Sequence, residues 1–143
     1  MESYLEGYED MIKKAKELIL SAEKEIYIST NIDLETFQDE FMEASQRGVR
    51  ITVVSLSEYK GEDLQVDKLY TYIDERDKRK NSKIMMTVDG CKALVADENV
   101  NGDGILDVIT DNVLLASVVD KNIKNYIYLL KLRDNIAFKL KDN

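Results

Sequence analysis

The sequence predicts an α/β sandwich, a mixed sheet of about five strands with helices on its faces. Three observations carry that reading. Segments with apolar residues at about 3.6-residue spacing alternate with short β-branched runs through the first part of the chain. Asp89-Gly90 divides two apolar runs, Lys83–Val88 and Cys91–Ala96, which is a strong hairpin signal because a type I′ turn needs positive φ at both central residues. With 143 residues, 44% apolar and 34% charged, the chain suits one domain with a real core.

The first helix is announced by Tyr8, Met11, Ile12, Ala15, Leu18, Ile19 and Ala22 on one face, with Glu9, Lys13, Lys14 and Glu17 on the other and Gly7 bounding it. Glu25–Thr30 reads as a strand. Asn31 or Asp33 caps a second helix with Leu34, Phe37, Phe41 and Ala44 inward, and Gly48 suits the left-handed position after its last turn. Ile51–Leu56 is a nearly continuous apolar strand, as expected where both faces are covered. The two strands should be parallel, joined by a right-handed crossover. Val66, Leu69, Tyr70 and Ile73 suggest a short third helix ending in the charged run Asp74–Lys80. After the hairpin, Asn99–Asp107 is a Gly- and Asx-rich loop and Leu106–Thr110 a strand. Asp111-Asn112 caps a long helix from Val113 to about Arg133, with Leu115, Val119, Ile123, Tyr126, Ile127 and Leu130 inward; Phe138 and Leu140 extend its packing or belong to a frayed tail.

Composition excludes several classes of function. A formal charge of −8 argues against a nucleic-acid surface on this piece. No apolar run approaches the roughly 20 residues of a membrane span, and the acidic, polar start is unlike a signal peptide. One cysteine makes no internal disulfide, which fits a reducing, cytoplasmic setting. There is no histidine to activate Cys91, so that thiol reads as a small apolar filler.

Two patterns carry chemistry. Lys92 and Asp97 stand at the Lys-to-Asp spacing of the His-x-Lys-x-x-x-x-Asp signature of phospholipase D-type domains, but Gly90 occupies the His position. Without a histidine anywhere in the chain the nucleophile is missing, so no enzymatic activity is expected. The second pattern is Asn99-x-Asn101-x-Asp103-Gly104-x-x-Asp107, similar to the calcium loops of integrin-type propeller repeats and, less closely, of dockerins and EF-hands. Oxygen ligands from Asn99, Asn101, Asp103 and Asp107, with the Ile105 carbonyl, would wrap a hard cation, and Gly104 allows the sharp turn. With few anionic ligands, affinity would be weak, on the order of 10⁻⁴ to 10⁻³ M. The alternative is a polar connection that uses Asx and Gly for turn geometry.

The runs Ile12-Lys-Lys-Ala-Lys-Glu-Leu-Ile, Glu25-Ile-Tyr-Ile-Ser, Phe41-Met-Glu-Ala-Ser-Gln-Arg-Gly-Val-Arg-Ile-Thr-Val, Val88-Asp-Gly-Cys-Lys-Ala-Leu-Val-Ala-Asp and Ile109-Thr-Asp-Asn together resemble a phospholipase D-like half. More closely, they resemble the domain that follows the winged helix in TrmB-type transcriptional regulators. The resemblance runs from about Tyr8 to Leu132. It implies a phospholipase D-like regulatory domain that is catalytically inactive, forms a homodimer and answers a small-molecule effector, touching DNA only through a winged helix that this sequence lacks. Lys92, Asp97 and Asn112 are the residues that it would keep for binding a ligand; the alternative for Lys92 and Asp97 is an ordinary strand residue and a strand-end turn residue. The competing reading is a small-ligand or calcium-binding module unrelated to transcription.

Overall fold

The computed structural model describes residues 2–4, 7–59, 61, 63–76, 81–98 and 106–141. Seven strands form one mixed sheet: β1 (Glu2–Tyr4), β2 (Glu25–Thr30), β3 (Arg50–Ser55), β4 (Lys68–Thr71), β5 (Ser82–Val88), β6 (Lys92–Glu98) and β7 (Leu106–Thr110). Their spatial order is β1-β7-β6-β5-β2-β3-β4. Strands β2, β3 and β4 run parallel, whereas every other neighbouring pair is antiparallel. Helices α1 (Tyr8–Ser21) and α2 (Gln38–Gln46) pack on one face, and α3 (Val113–Lys141) packs on the other.

The main core lies between the sheet and α1/α2. Met11, Ala15 and Ile19 from α1 and Phe37, Phe41 and Ala44 from the α2 region are fully buried against Ile26, Ile28, Ile51, Val53, Met86 and Leu94. Arg47 ties the two helices together. Its guanidinium donates to the carbonyls of Ala22 (2.6 Å) and Leu20 (3.0 Å), closing the last turn of α1, and pairs with Glu43 at 2.8 Å. Gly48, at φ 87°, ends α2 as expected: Val49 N donates to Ala44 O and Gly48 N to Ser45 O, a Schellman motif.

The smaller second core joins α3 to the sheet through Ile123, Ile127 and Leu130 over Val54, Tyr27 and Met85. At its centre Asp120, only 8% exposed, accepts a 2.8 Å hydrogen bond from the Thr87 hydroxyl and a 2.7 Å contact from Lys124, whose ammonium lies 5.0 Å from the Tyr27 ring centroid. A buried carboxylate requires such partners.

The hairpin turn does more than reverse the chain. Asp89 and Gly90 both have positive φ, 56° and 68°, as the Asp-Gly signal requires. The Asp89 carboxylate also accepts hydrogen bonds from the backbone N–H groups of Glu23 (2.9 Å), Lys24 (2.7 Å) and Glu25 (3.0 Å), while its own N–H donates to Glu25 O. Partial burial alone would raise its pKa; the three backbone donors and the Lys24 charge bring it below the ordinary value.

Four expectations are corrected. Val66–Ile73 does not form a helix: Lys68–Thr71 is an edge strand, register-paired from Thr52↔Lys68 to Ser55↔Thr71. Four apolar positions at helical spacing were outweighed by an open strand edge on β3 and by the strand preference of Leu69-Tyr-Thr-Tyr-Ile73. The sheet has seven strands instead of about five, because β4 joins it and Glu2–Tyr4 pairs with β7. Leu115 is 42% exposed; Ala116 takes the inward position instead. The long helix also continues to Lys141, past the expected end near Arg133.

Candidate functional site

The residues singled out in the sequence are distributed along the sheet. Lys92 and Asp97 stand at the two ends of β6, five residues or about 17 Å apart. Side chains alternate along a strand, so an odd separation also sends them to opposite faces. Lys92 shares a face with Leu94, Ala96 and Glu98; Asp97 shares the other with Ala93 and Val95. Lys92 lines a cavity of about 310 Å³ with Lys14, Glu17, Thr110 and Asp111. Asn112 lies at that same end, but its side chain is engaged: Oδ1 accepts from Leu115 N at 3.1 Å, capping α3 as expected. Asp97 accepts from Asn81 Nδ2 (3.1 Å) at the opposite end of the sheet. The three do not converge on one ligand.

Of the proposed calcium ligands, Asn99, Asn101, Asp103 and Ile105 lie outside the described residues. Asp107 sits on β7, directly opposite Ala96 and on the α1 face. There it meets Glu98, which is 1% exposed. Burial first, then a hydrogen bond and charge from Asp107, then the charge of Asp10, push the Glu98 carboxyl up to about 7. Glu98 Oε2 and Asp107 Oδ1 are both buried and without a hydrogen-bond partner. Among the described residues, no group of three or more acidic, His or Cys side chains is placed to hold a metal ion.

The larger cavities lie at the carboxyl ends of the parallel strands, where open α/β sheets commonly receive ligands. One, of about 430 Å³, is lined by Asn31, Asp33, Glu35, Ser57, Glu58 and Tyr59. Beside it a second, of about 500 Å³, is lined by Asn31, Leu56, Glu58, Tyr72, Lys83 and Tyr126. Both are of the size that small-molecule sites occupy. A polar knot fixes the floor they share. Thr30 Oγ1 donates to Lys83 O (2.6 Å), Asn31 Nδ2 donates to Asn81 O (2.7 Å), and Asn31 Oδ1 accepts from Lys83 N (2.8 Å). Ser57 Oγ donates to Asn31 O at 3.2 Å. Tyr72 and Tyr126 meet edge to face at 5.5 Å and form one wall. Burial, and then Tyr72, raise the pKa of the Tyr126 hydroxyl. Burial, with Glu35, Asp33 and Asp63, raises that of Tyr59, so both phenols are held protonated. The cleft therefore offers hydroxyl donors and amide or carboxylate acceptors on a rigid frame, with acidic side chains over one half.

Of the residues lining this cleft, Asn31 and Asp33 stood out in the sequence only as helix caps, and Ser57 and Glu58 not at all. The signal was there: Asn31 and Ser57 each follow the last residues of a parallel strand.

A family model described as transcriptional regulator TrmB, EBD N-terminal subdomain, matches residues 3–114. No curated protein matches the sequence. Among solved structures the chain is similar to TrmBL2, an archaeal chromatin protein whose structure is reported to show a novel mode of DNA binding. The identity is 15% and the TM-score 0.63, over 89% of this chain and 52% of that one. It is also similar to Nuc, a phospholipase D family member from Salmonella typhimurium, at 14% identity and TM-score 0.60, over 87% of this chain and 93% of that one. At such identities the likenesses establish a shared phospholipase D-like fold. The chain spans about half the length of TrmBL2.

Proposed function

We propose a function from one premise: this chain belongs to the TrmB family of transcriptional regulators, as its EBD N-terminal subdomain. It is the regulatory core of such a regulator, a homodimer that holds a small effector and passes the signal to a DNA-binding domain elsewhere in the protein. The observation that carries this reading is the family match over residues 3–114. The cleft at the carboxyl ends of β2, β3 and β4 supplies the effector site. Asp33, Glu35 and Glu58 on its walls disfavour anions, whereas Asn31, Ser57 and Tyr126 suit a neutral or cationic molecule rich in hydrogen-bonding groups. The test is a thermal-shift screen of small polar metabolites, repeated on Glu58→Ala and Tyr126→Phe. A ligand whose stabilisation is lost in these variants supports the assignment. Ligands that stabilise the variants as well as the parent would move the site elsewhere.

The scaffold is catalytically inactive in this reading. Gly90 takes the place of the nucleophile, and Lys92 has neither a histidine nor Asp97 beside it. A second reading, a weak calcium site at residues 99–107, is favoured by the unpartnered oxygens of Glu98 and Asp107 at the base of that segment. Among the described residues, no helix is long and apolar enough to cross a membrane.

A further inference from the structure

The outer face of α3 is apolar in a pattern that matches itself. Of the twelve large hydrophobic side chains exposed among the described residues, eight lie on this helix. Leu114 (74% exposed), Val118 (60%), Leu129 (61%), Leu132 (41%) and Ile136 (58%) fall in one stripe opposite the inward Ile123 and Ile127, with Lys121 and Asn125 at the middle of it. Measured from Asn125, the stripe has members at −11, −7 and −4 and again at +4, +7 and +11. Such a sequence of steps reads the same in both directions. Two copies laid antiparallel with Asn125 on the two-fold axis bring Leu114 onto Ile136, Val118 onto Leu132, and the Lys121 stem onto Leu129, while Asn125 meets its own copy.

The size is adequate. The stripe is about 33 Å long. Its five apolar side chains, each leaving on the order of 100 Å² uncovered, give about 500 Å² a side, or about 1,000 Å² for a pair, the lower bound of a specific interface. The helix also outruns its own subunit. Arg133 reaches Thr71 O on the edge strand at 2.9 Å, and from Lys131 to Ala137 every side chain is exposed. The outward side chains of that half, Leu129, Leu132 and Ile136, are left uncovered by the described residues.

We infer that the outer stripe of α3 is the homodimer seam, an antiparallel helix pair centred on Asn125. The inference rests on the dimeric reading above and adds its surface, direction and register. A parallel pair is disfavoured because it would set Lys121 against Lys121. The central Asn125 pair does what a lone buried asparagine does in coiled coils, trading some stability for a single register.

Sedimentation equilibrium on the full chain tests it with three variants, all at exposed positions so that folding survives and circular dichroism verifies it. Val118→Lys and Leu132→Glu should each weaken the dimer at least tenfold. The double variant Val118→Lys/Leu132→Glu should recover most of that loss, since lysine and glutamate then face each other twice across the axis. A double variant weaker than both singles overturns the antiparallel register. A dimer indifferent to either single variant overturns the seam and leaves the dimeric reading standing, whereas a monomeric parent chain at high concentration overturns both.

Discussion

Glu98 should make the protein less stable as pH rises through neutrality, against the usual behaviour of a carboxylate. It is 1% exposed on the α1 face of β6, beside Asp107 and near Asp10. Two carboxyl groups in one buried place cannot both ionise, so the pair retains a proton that the unfolded chain releases. With the folded value raised from 4.5 to about 7, the folded state holds the extra proton between those limits. The stabilisation from that proton is whole below pH 4.5 and disappears as pH rises through 7. The difference corresponds to about 3 kcal/mol. Glu98→Gln keeps a donor toward Asp107 and removes the ionisation. Urea unfolding of parent and variant at pH 5, 6, 7 and 8 isolates the effect, because the other groups cancel in the difference. The variant should gain on the parent steadily, to the order of 3 kcal/mol at pH 8. A gap that stays constant from pH 5 to 8 would refute the shared proton.

Other outcomes follow from the same structure. Asp89→Ala leaves three backbone N–H groups without their acceptor and should cost about 2–3 kcal/mol at pH 7 by urea unfolding. Because the folded pKa of Asp89 is lowered, its contribution is present above the ordinary value of 3.8 and is lost as pH falls through the folded value, so the penalty should fade in strong acid. If residues 99–107 bind calcium, free calcium at about ten times Kd should add about 1.4 kcal/mol, with magnesium much less effective and Asp103→Asn abolishing the shift; a melting temperature unmoved by millimolar calcium assigns the segment to turn geometry alone. Generic phosphodiesters should not be turned over, and hydrolysis abolished by Lys92→Ala would disprove the inactive-scaffold reading.

The elements that were legible in the sequence are those in which local preference and tertiary need agree. Met11, Ala15, Ile19, Phe37 and Phe41 occupy the core positions their spacing assigns, and Asp89-Gly90 forms the turn its φ requirement demands. Lys68–Thr71 misled because a strand at a parallel edge is held by a neighbour distant in sequence, while the apolar pattern on so short a segment fits either period. The three residues of β1 carry too little pattern to declare themselves. At the site, a motif in one dimension concealed a fact of geometry: Lys92 and Asp97 keep their spacing, but five steps along a strand separates them by a face. The Asp89 contacts with residues 23–25 arise between distant segments, and the Glu98–Asp107 pair depends on the register of two adjacent strands, which no local spacing records.

The β2–β5 pairing has a kinetic consequence. It is the single joint between the parallel strands β2–β4 and the antiparallel strands β5, β6, β7 and β1, and it brings Ile26 opposite Val88 across 62 positions of sequence. The hairpin on one side and the strand–helix–strand unit on the other can each form from nearby residues. Joining them closes a long loop before the main core rewards it, the type of step that sets folding speed. The three N–H groups gripped by Asp89 lie at the end of this joint. The turn that reverses the hairpin is thus also the latch that holds the two parts of the sheet in one register.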